Sequence, residues 1–253
     1  MKFSQLSIVV FSFAAVHTSL ADVRVVMEEN GSSSVINIGS TWASVSDQSD
    51  PDHNMLINMK NKKIYVVDHE NEVVIDFSNM LTAKAPAKGS PSTAKKPKVE
   101  IQKVGPGPKF LGYETTEYKL MADGKFCSTQ YFSKDLLKHK EISSFAEVVS
   151  KMDELSSGEE NFGSACEYAQ SEFDKNAVKY GIALLSKAAD GSVSYKVREI
   201  NFNMKFTTGD FALPRDYPIV TQEELMRKTE EEMQGEDDRS SHPDKSSGQG
   251  GGK

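Results

Sequence analysis

Apolar and polar residues alternate with a period of two over most of the chain, and this pattern predicts a protein built mainly of β-strands. Asp22 to Glu29 (DVRVVMEE) reads as a first strand and Ser34 to Val45 (SVINIGSTWASV) as a second. Between Asn54 and Ser78 come the short apolar runs MLINM, KIYVV and EVVIDF. They are separated by Lys60-Asn61-Lys62 and Asp68-His69-Glu70-Asn71, polar clusters suited to turns, so the stretch predicts an up-and-down antiparallel meander. The clearest pairing signal is Phe110 to Leu136, where Tyr-, Thr- and Phe-rich arms flank Ala122-Asp123-Gly124-Lys125. An Asp-Gly step supplies the positive φ of a tight turn, and this hairpin is expected to organise the sheet. A second such turn, Ala189-Asp190-Gly191-Ser192, joins Ile182 to Lys187 with Ser192 to Phe206. In the latter, alternation through Val193, Tyr195 and Val197 changes phase to Ile200, Phe202, Met204 and Phe206, which requires a bulge or bend at Arg198-Glu199.

Helical spacing interrupts the strands. Phe145, Val148, Val149, Met152 and Leu155 form an amphipathic stripe over Ser143 to Leu155, with Ser144 and Glu147 in the positions of a capping box. Ala165 to Val178 predicts a second helix ending near Gly181, and Thr221 with Glu224 caps a short one running through Met233. Both longer helices are expected on a face of the sheet. In Thr82 to Lys98 (TAKAPAKGSPSTAKKPK), Pro, Ala, Ser, Gly and Lys replace every large apolar residue, as in a mobile basic loop. Beyond about Gln234 the chain is a low-complexity, acidic and Gly-rich tail.

The chain has 253 residues, a formal net charge of -7, 38% hydrophobic and 26% charged residues, which suits one globular domain with polar additions. Residues 1–21 carry Lys2, an apolar core from Leu6 to Val16, and Ser19-Leu20-Ala21 in a small-x-small pattern, the layout of a secretory signal peptide cut after Ala21. That core is shorter than the roughly 20 residues of a spanning helix. The expectation is export to a periplasm or to the outside, with 22–220 as the domain and 221–253 as a short helix and tail. The acidic balance argues against nucleic acid as a partner, and no later run is long enough to span a membrane. In an oxidising compartment Cys127 and Cys166 are able to form one disulfide; two separate buried thiols are the alternative.

Ordered catalytic motifs are missing from the sequence. His53, His69, His139 and His242 stand in no zinc-type spacing, and there is no GxSxG, P-loop or GxGxxG. Asp52-His53 and Asp68-His69 flank the meander and could meet across adjacent turns, where Asp and His also serve local hydrogen bonding. Gly105-Pro106-Gly107-Pro108 is a turn, since proline removes the amides that cradle phosphate. The expectation is a protein without enzymatic activity and without a cofactor or metal. The aromatic residues of the hairpin, among them Tyr118, Tyr131 and Phe132, suit core packing or an apolar cavity.

A family resemblance runs from the meander to Tyr217. Leu56-Ile57-Asn58, Ile64 to His69, Gly112-Tyr113-Glu114, Glu117-Tyr118, Tyr131, Asp135-Leu136, Gly181, and Phe211-Ala212-Leu213-Pro214 with Tyr217 resemble the DUF4412 group of exported bacterial proteins, a branch of the LolA-like superfamily. Tyr131 stands where related sequences often carry Trp, and Thr115 where Cys is frequent, so Cys127 and Cys166 need not follow a family disulfide. The resemblance implies an α+β, mainly β fold: a curved antiparallel sheet, or incomplete β-barrel, whose concave face is covered by helices. It also implies an apolar cavity for a lipid or lipoprotein acyl chain, and Trp42, Tyr65, Tyr113, Tyr118, Tyr131 and Phe202 are the expected lining. The reading from another class is a protein-interaction or envelope-stress sensor module with a filled core, its basic loop and acidic tail docking an envelope partner.

Overall fold

A computed structural model describes residues 22–79, 96–156 and 163–227, with the side chains of 154–156 left out. The expected signal peptide, most of the basic stretch Thr82 to Lys98 and the tail beyond 227 lie outside the described residues. The alternating segments join into a single curved, open sheet of 12 strands. The first six are β1 (Asp22–Glu29), β2 (Ser32–Ile38), β3 (Trp42–Asp47), β4 (Asp50–Asn58), β5 (Lys63–Asp68) and β6 (Val73–Asp76). Then come β7 (Val99–Pro106), β8 (Thr116–Ala122), β9 (Lys125–Ser133), β10 (Ile182–Ala188), β11 (Val193–Met204) and β12 (Ile219–Thr221). Their order in space is β12-β6-β5-β4-β3-β2-β1-β11-β10-β9-β8-β7.

The order follows from two meanders sewn together. β1 to β6 pair in sequence, as do β7 to β9, and β10 and β11 extend the second meander back until β11 meets β1 antiparallel. The Phe110 to Leu136 hairpin therefore lies near one end of the sheet, beside the edge strand β7, and the β1–β11 seam lies one strand from its middle. The expected phase change in β11 is the register shift at Arg198: Val197 faces Met27, while Glu199 faces Val26. This bulge returns Ile200 to the face already occupied by Tyr195 and Val197, so both halves of a long strand bury their apolar side chains. Ser34 to Val45 proves to be two strands. Gly39, Ser40 and Thr41 turn the chain, with Gly39 N–H bonded to the Trp42 carbonyl at 2.8 Å, because a small-polar run mid-strand offers little to bury. β12 was not legible in the sequence: its three residues pair parallel to β6, a register set by tertiary contact.

Two helices separate β9 from β10: α1 (Lys140–Ser156) and α2 (Ala165–Asp174). α1 begins before Ser143, after the 3-10 turn Asp135–Lys138, and Ser144 and Glu147 lie inside it rather than capping it. The earlier start brings Ile142, which is 4% exposed, into the core. α2 is capped by Ser164, whose side chain accepts from the Glu167 amide, and ends before the 3-10 turn Ala177–Lys179. The turn at Thr221 closes as expected, with Thr221 N–H bonded to the Glu224 carboxylate at 2.8 Å and Glu224 N–H to the Thr221 hydroxyl at 3.2 Å.

The register shows that both helices lie on one face. Val25, Ile36, Val45 and Met55 stand side by side across β1 to β4 and pack into the core that takes Ile142, Phe145, Val148 and Met152 of α1. Tyr195 continues that face through Ser186 and Gln130 to Tyr118, where Ala169 and Phe173 of α2 pack. Over β3 to β6 the opposite face is covered by the chain after β11, whose Phe206, Phe211, Leu213 and Tyr217 sit on Leu56, Tyr65, Val67 and Val74. Gly181 lets the chain re-enter the sheet from the helices: its φ is +130°, and a Cβ there would lie 2.6 Å from the Ser133 carbonyl oxygen.

Cys127 of β9 and Cys166 in the first turn of α2 are joined by a disulfide, with their Cα atoms 5.4 Å apart. The bridge spans 39 residues of sequence that include all of α1, and it ties α2 to the end of the sheet where the strands are least flanked. Replacing both cysteines by Ala should lower the free energy of unfolding in urea by about 3 to 4 kcal/mol through the freed loop entropy. An unchanged urea midpoint would show that Phe173 packing alone holds α2.

Candidate functional site

Between α1 and the sheet an apolar cavity of about 200 Å³ remains unfilled by side chains. Its floor is built by the period-two alternation, which presents Val25 of β1, Ile36 and Ile38 of β2, and Tyr195, Val197 and Ile200 of β11. α1 forms the roof. Ile142, Phe145, Ala146, Val149, Ser150 and Asp153 recur at intervals of three and four, so they share one stripe of the helix. The side walls come from Phe132 of β9, Ala177, Val178 and the start of β10 at Ile182 and Ala183. Val149 and Ala146 are small for a helix that crosses this much sheet, and the space beneath them is the cavity.

The roof is graded along its length. From Ile142 to Asp153 the helix advances about 16 Å at 1.5 Å per residue, and its stripe passes from aliphatic and aromatic to acidic. Asp174, the last residue of α2, joins Asp153 at this end. Burial pushes the Asp174 carboxyl up to about 6, against a single hydrogen bond from Gln170 Nε2 at 2.8 Å, with the Asp153 and Glu29 charges adding to the rise. Burial raises Asp153 as well, and it raises the Tyr195 phenol, with Glu29 adding to the effect. The acidic end of this otherwise apolar chamber is thus partly desolvated, with both carboxyl groups half-buried.

None of the expected lining residues borders this cavity. Trp42 and Tyr65 stack at 6.3 Å on the opposite face, beneath Phe206, Leu213 and Tyr217. Tyr118 is buried against Phe132 and Tyr180, with ring centroids 5.9 and 5.0 Å away. Tyr131 points to the other side of the hairpin, where it packs so closely on Gly107 that a Cβ there would lie 2.8 Å from its ring. Tyr113 and Phe202 pack against the main core without reaching the chamber, and Phe202 instead faces His139 at 4.2 Å. The hairpin aromatic that does form a wall is Phe132. Asp153 and Asp174 were not singled out by the sequence, since nothing local distinguishes them from the other acids of the two helices.

The Asp-His turns of the meander do meet. His53 pairs with Asp68 in the β4–β5 register, its Nδ1 lies 2.9 Å from Asp50 and its Nε2 3.5 Å from Asp68. The hydrogen bond to Asp50 holds the imidazole above its ordinary range. His69 turns to the Tyr217 hydroxyl at 3.2 Å. These bonds pin the strand ends and the C-terminal cover, and among the described residues no group of three or more His, Cys, Asp or Glu could hold a metal ion. Also among the described residues, no helix is long and apolar enough to cross a membrane.

No family model matches the chain, and no curated protein does. Among solved structures, two crystal forms of PNGF-II are similar to it at 12% and 9% identity, with TM-scores of 0.39 and 0.40. The matches cover 82% and 83% of this chain but 32% and 33% of those, so the chain spans about a third of their length. A crystal structure of MucB is similar at 11% identity and a TM-score of 0.26, covering 78% of this chain and 58% of that one.

Because the folded Asp174 holds its proton up to about 6 while an exposed carboxyl releases it near 3.8, its contribution is favourable when protonated. That contribution is complete below about pH 3.8 and is lost as pH rises through about 6. Asp174→Asn should therefore flatten this part of the stability curve and gain on the order of 2 kcal/mol over the native chain at neutral pH. Urea midpoints of both forms between pH 4 and 8 check this; parallel curves would place Asp174 in an exposed setting.

Proposed function

We propose that this chain is an exported, non-catalytic carrier that holds a single lipid acyl or alkyl chain between its curved sheet and α1. The observation that carries the reading is the unfilled chamber of about 200 Å³ under Ala146 and Val149, walled by aliphatic side chains of β1, β2, β10 and β11. The lining is almost wholly apolar and the pocket opens to solvent on one side, the form in which concave apolar sites admit apolar guests. Each methylene moved from water into such a site contributes about 0.8 kcal/mol before the costs of association, so a short run of methylenes suffices for measurable binding. The volume is below the roughly 300–1,000 Å³ of sites for drug-sized ligands, which fits one chain better than a whole lipid.

The resemblance to DUF4412 and LolA-like proteins supports the same reading, with the helices as the cover of the sheet's concave face and export through the signal peptide at 1–21. An unfilled chamber favours the carrier over an interaction module with a filled core. No catalytic role, cofactor or metal enters the proposal.

Filling the chamber tests it. Ala146→Phe places a ring in the space beneath α1, and should abolish uptake of an uncharged fluorescent fatty alcohol while leaving the melting temperature within a few degrees of the native value. Tyr113→Ala and Tyr131→Ala, outside the chamber, should leave uptake intact. No uptake by the delipidated native protein, or full uptake by Ala146→Phe, would remove the reading.

A further inference from the structure

Two hairpin turns of the sheet share one backbone geometry but differ in their first residue. Asp123-Gly124 closes β8 onto β9 with φ of +48° and +78°, and Asn30-Gly31 closes β1 onto β2 with +49° and +89°. Positive φ at both central residues is the demand of a type I′ turn, which Asp and Asn meet alike. Turn geometry therefore does not explain why residue 30 is Asn. The Asp side chains of such turns have structural work: Asp123 Oδ1 accepts from the Lys98 N–H at 2.8 Å, and Asp190 Oδ1, in the β10–β11 turn, accepts from the Ser192 N–H at 2.9 Å. Asn30 is held through its backbone instead, its N–H donating to the Ser194 carbonyl at 2.9 Å while Glu29 pairs with Ser32. Among the described residues no hydrogen bond engages the Asn30 carboxamide or the Ser32 hydroxyl. Of all the asparagines in the chain, Asn30 alone is followed two residues later by Ser or Thr, with Gly rather than Pro between. That triplet is the acceptor for N-linked glycans, and it requires an accessible surface position. Asn30 and Gly31 are exposed at the hairpin tip, and a Cβ at Gly31 would meet nothing within 4 Å. Next to Ser194, Val193 is a large apolar side chain left 52% exposed.

We propose that Asn30 is an N-glycan acceptor, so that the exported chain carries an oligosaccharide at the tip of the β1–β2 hairpin. The inference rests on the export reading above, because the transfer takes place outside the cytosol. The co-reactant is a polyprenyl-diphosphate-linked oligosaccharide, and the catalyst is an oligosaccharyltransferase. Asn30 Nδ2 forms a bond to C1 of the first sugar while the bond from C1 to the diphosphate oxygen breaks. Polyprenyl diphosphate leaves with the electron pair, and the amide gives up one proton to the transferase. The Ser32 hydroxyl is the group by which the transferase recognises the triplet. At this tip the glycan projects into open space, displaces no buried contact and lies beside Val193.

Mass spectrometry of the full chain isolated from its own host tests this. The intact mass reports whether the chain begins at Asp22, and electron-transfer fragmentation of the tryptic peptide that begins at Val25 reports the mass carried by Asn30. The expected result is a saccharide on Asn30 of a chain cut after Ala21. Ser32→Ala, which leaves Asn30 in place, should lose that mass completely, as should Asn30→Gly, which retains the positive φ of the turn. A processed chain whose Asn30 carries no sugar, whether intact or converted to Asp by spontaneous loss of ammonia, overturns the inference and leaves export standing. A chain that still begins at Met1 and carries no sugar overturns both. A saccharide that persists on Asn30 in Ser32→Ala overturns recognition through the triplet, and with it the proposal.

Discussion

The pairing of β1 with β11 is the contact on which the rest of the structure depends. Without it the chain is two separate meanders, each with an apolar face and raw edges; with it they become one sheet whose edges are β7 and β12. The partners are separated by most of the chain, so this seam requires closure of the longest loop in the fold and must be secured by side chains as well as by ladder bonds. Val23, Val25 and Met27 from one strand and Val197, Ile200 and Phe202 from the other supply that packing beneath α1. Arg198, extruded at the bulge, forms an ion pair with Glu28 on the adjoining strand. Its displacement keeps both halves of β11 in phase with the core. The same seam forms the chamber floor, so the element that unifies the sheet also makes the site.

The two faces of the sheet are sealed by different means. On one, α1 and α2 are placed between β9 and β10, fastened by the Cys127–Cys166 bridge and by the Phe132, Phe173 and Tyr180 ring cluster. On the other, the extended chain from Phe206 to Tyr217 lies over β3 to β6 and ends by adding β12 to the edge. The aromatic residues are spent mostly on these seals. Trp42 and Tyr65 serve the C-terminal cover, and Tyr118 serves α2. The chamber is left mostly to aliphatic side chains, with the small Ala146 and Val149 of α1 on its helical side. An apolar void with acids at one end costs stability in an empty protein. Such costs persist where a ligand offsets them, which is the physical link between the cavity and the proposed carrier role.

Much of this could be read from local pattern. The strands of the meander, the Asp-Gly turns, the bulge at Arg198 and the helical segments follow from alternation, from positive-φ residues and from apolar spacing, all of which act over a few residues. The same local reasoning misjudged Ser34 to Val45 as one strand and placed the start of α1 too late. There the deciding interactions, the burial of Ile142 and the packing of Phe211 on Gly39, come from distant parts of the chain. The expected lining residues lie away from this cavity for a related reason. Tyr113, Tyr118 and Tyr131 are conspicuous in sequence, but period two assigns neighbouring residues to opposite faces without saying which face has the cavity, and the wall is formed by Phe132.

The sequence by itself determined which segments extend, where they turn, and that two cysteines were present to be joined. Strand order, the facing of each alternate residue, the meeting of Cys127 with Cys166 and the convergence of Asp153 with Asp174 were decided only by the tertiary structure. The reason is one of range. Propensity, turn chemistry and periodicity operate over a few residues, whereas the seam, the disulfide and the acidic end each join groups separated by a strand, a helix or nearly the whole domain, and their distances exist only once the chain has closed on itself.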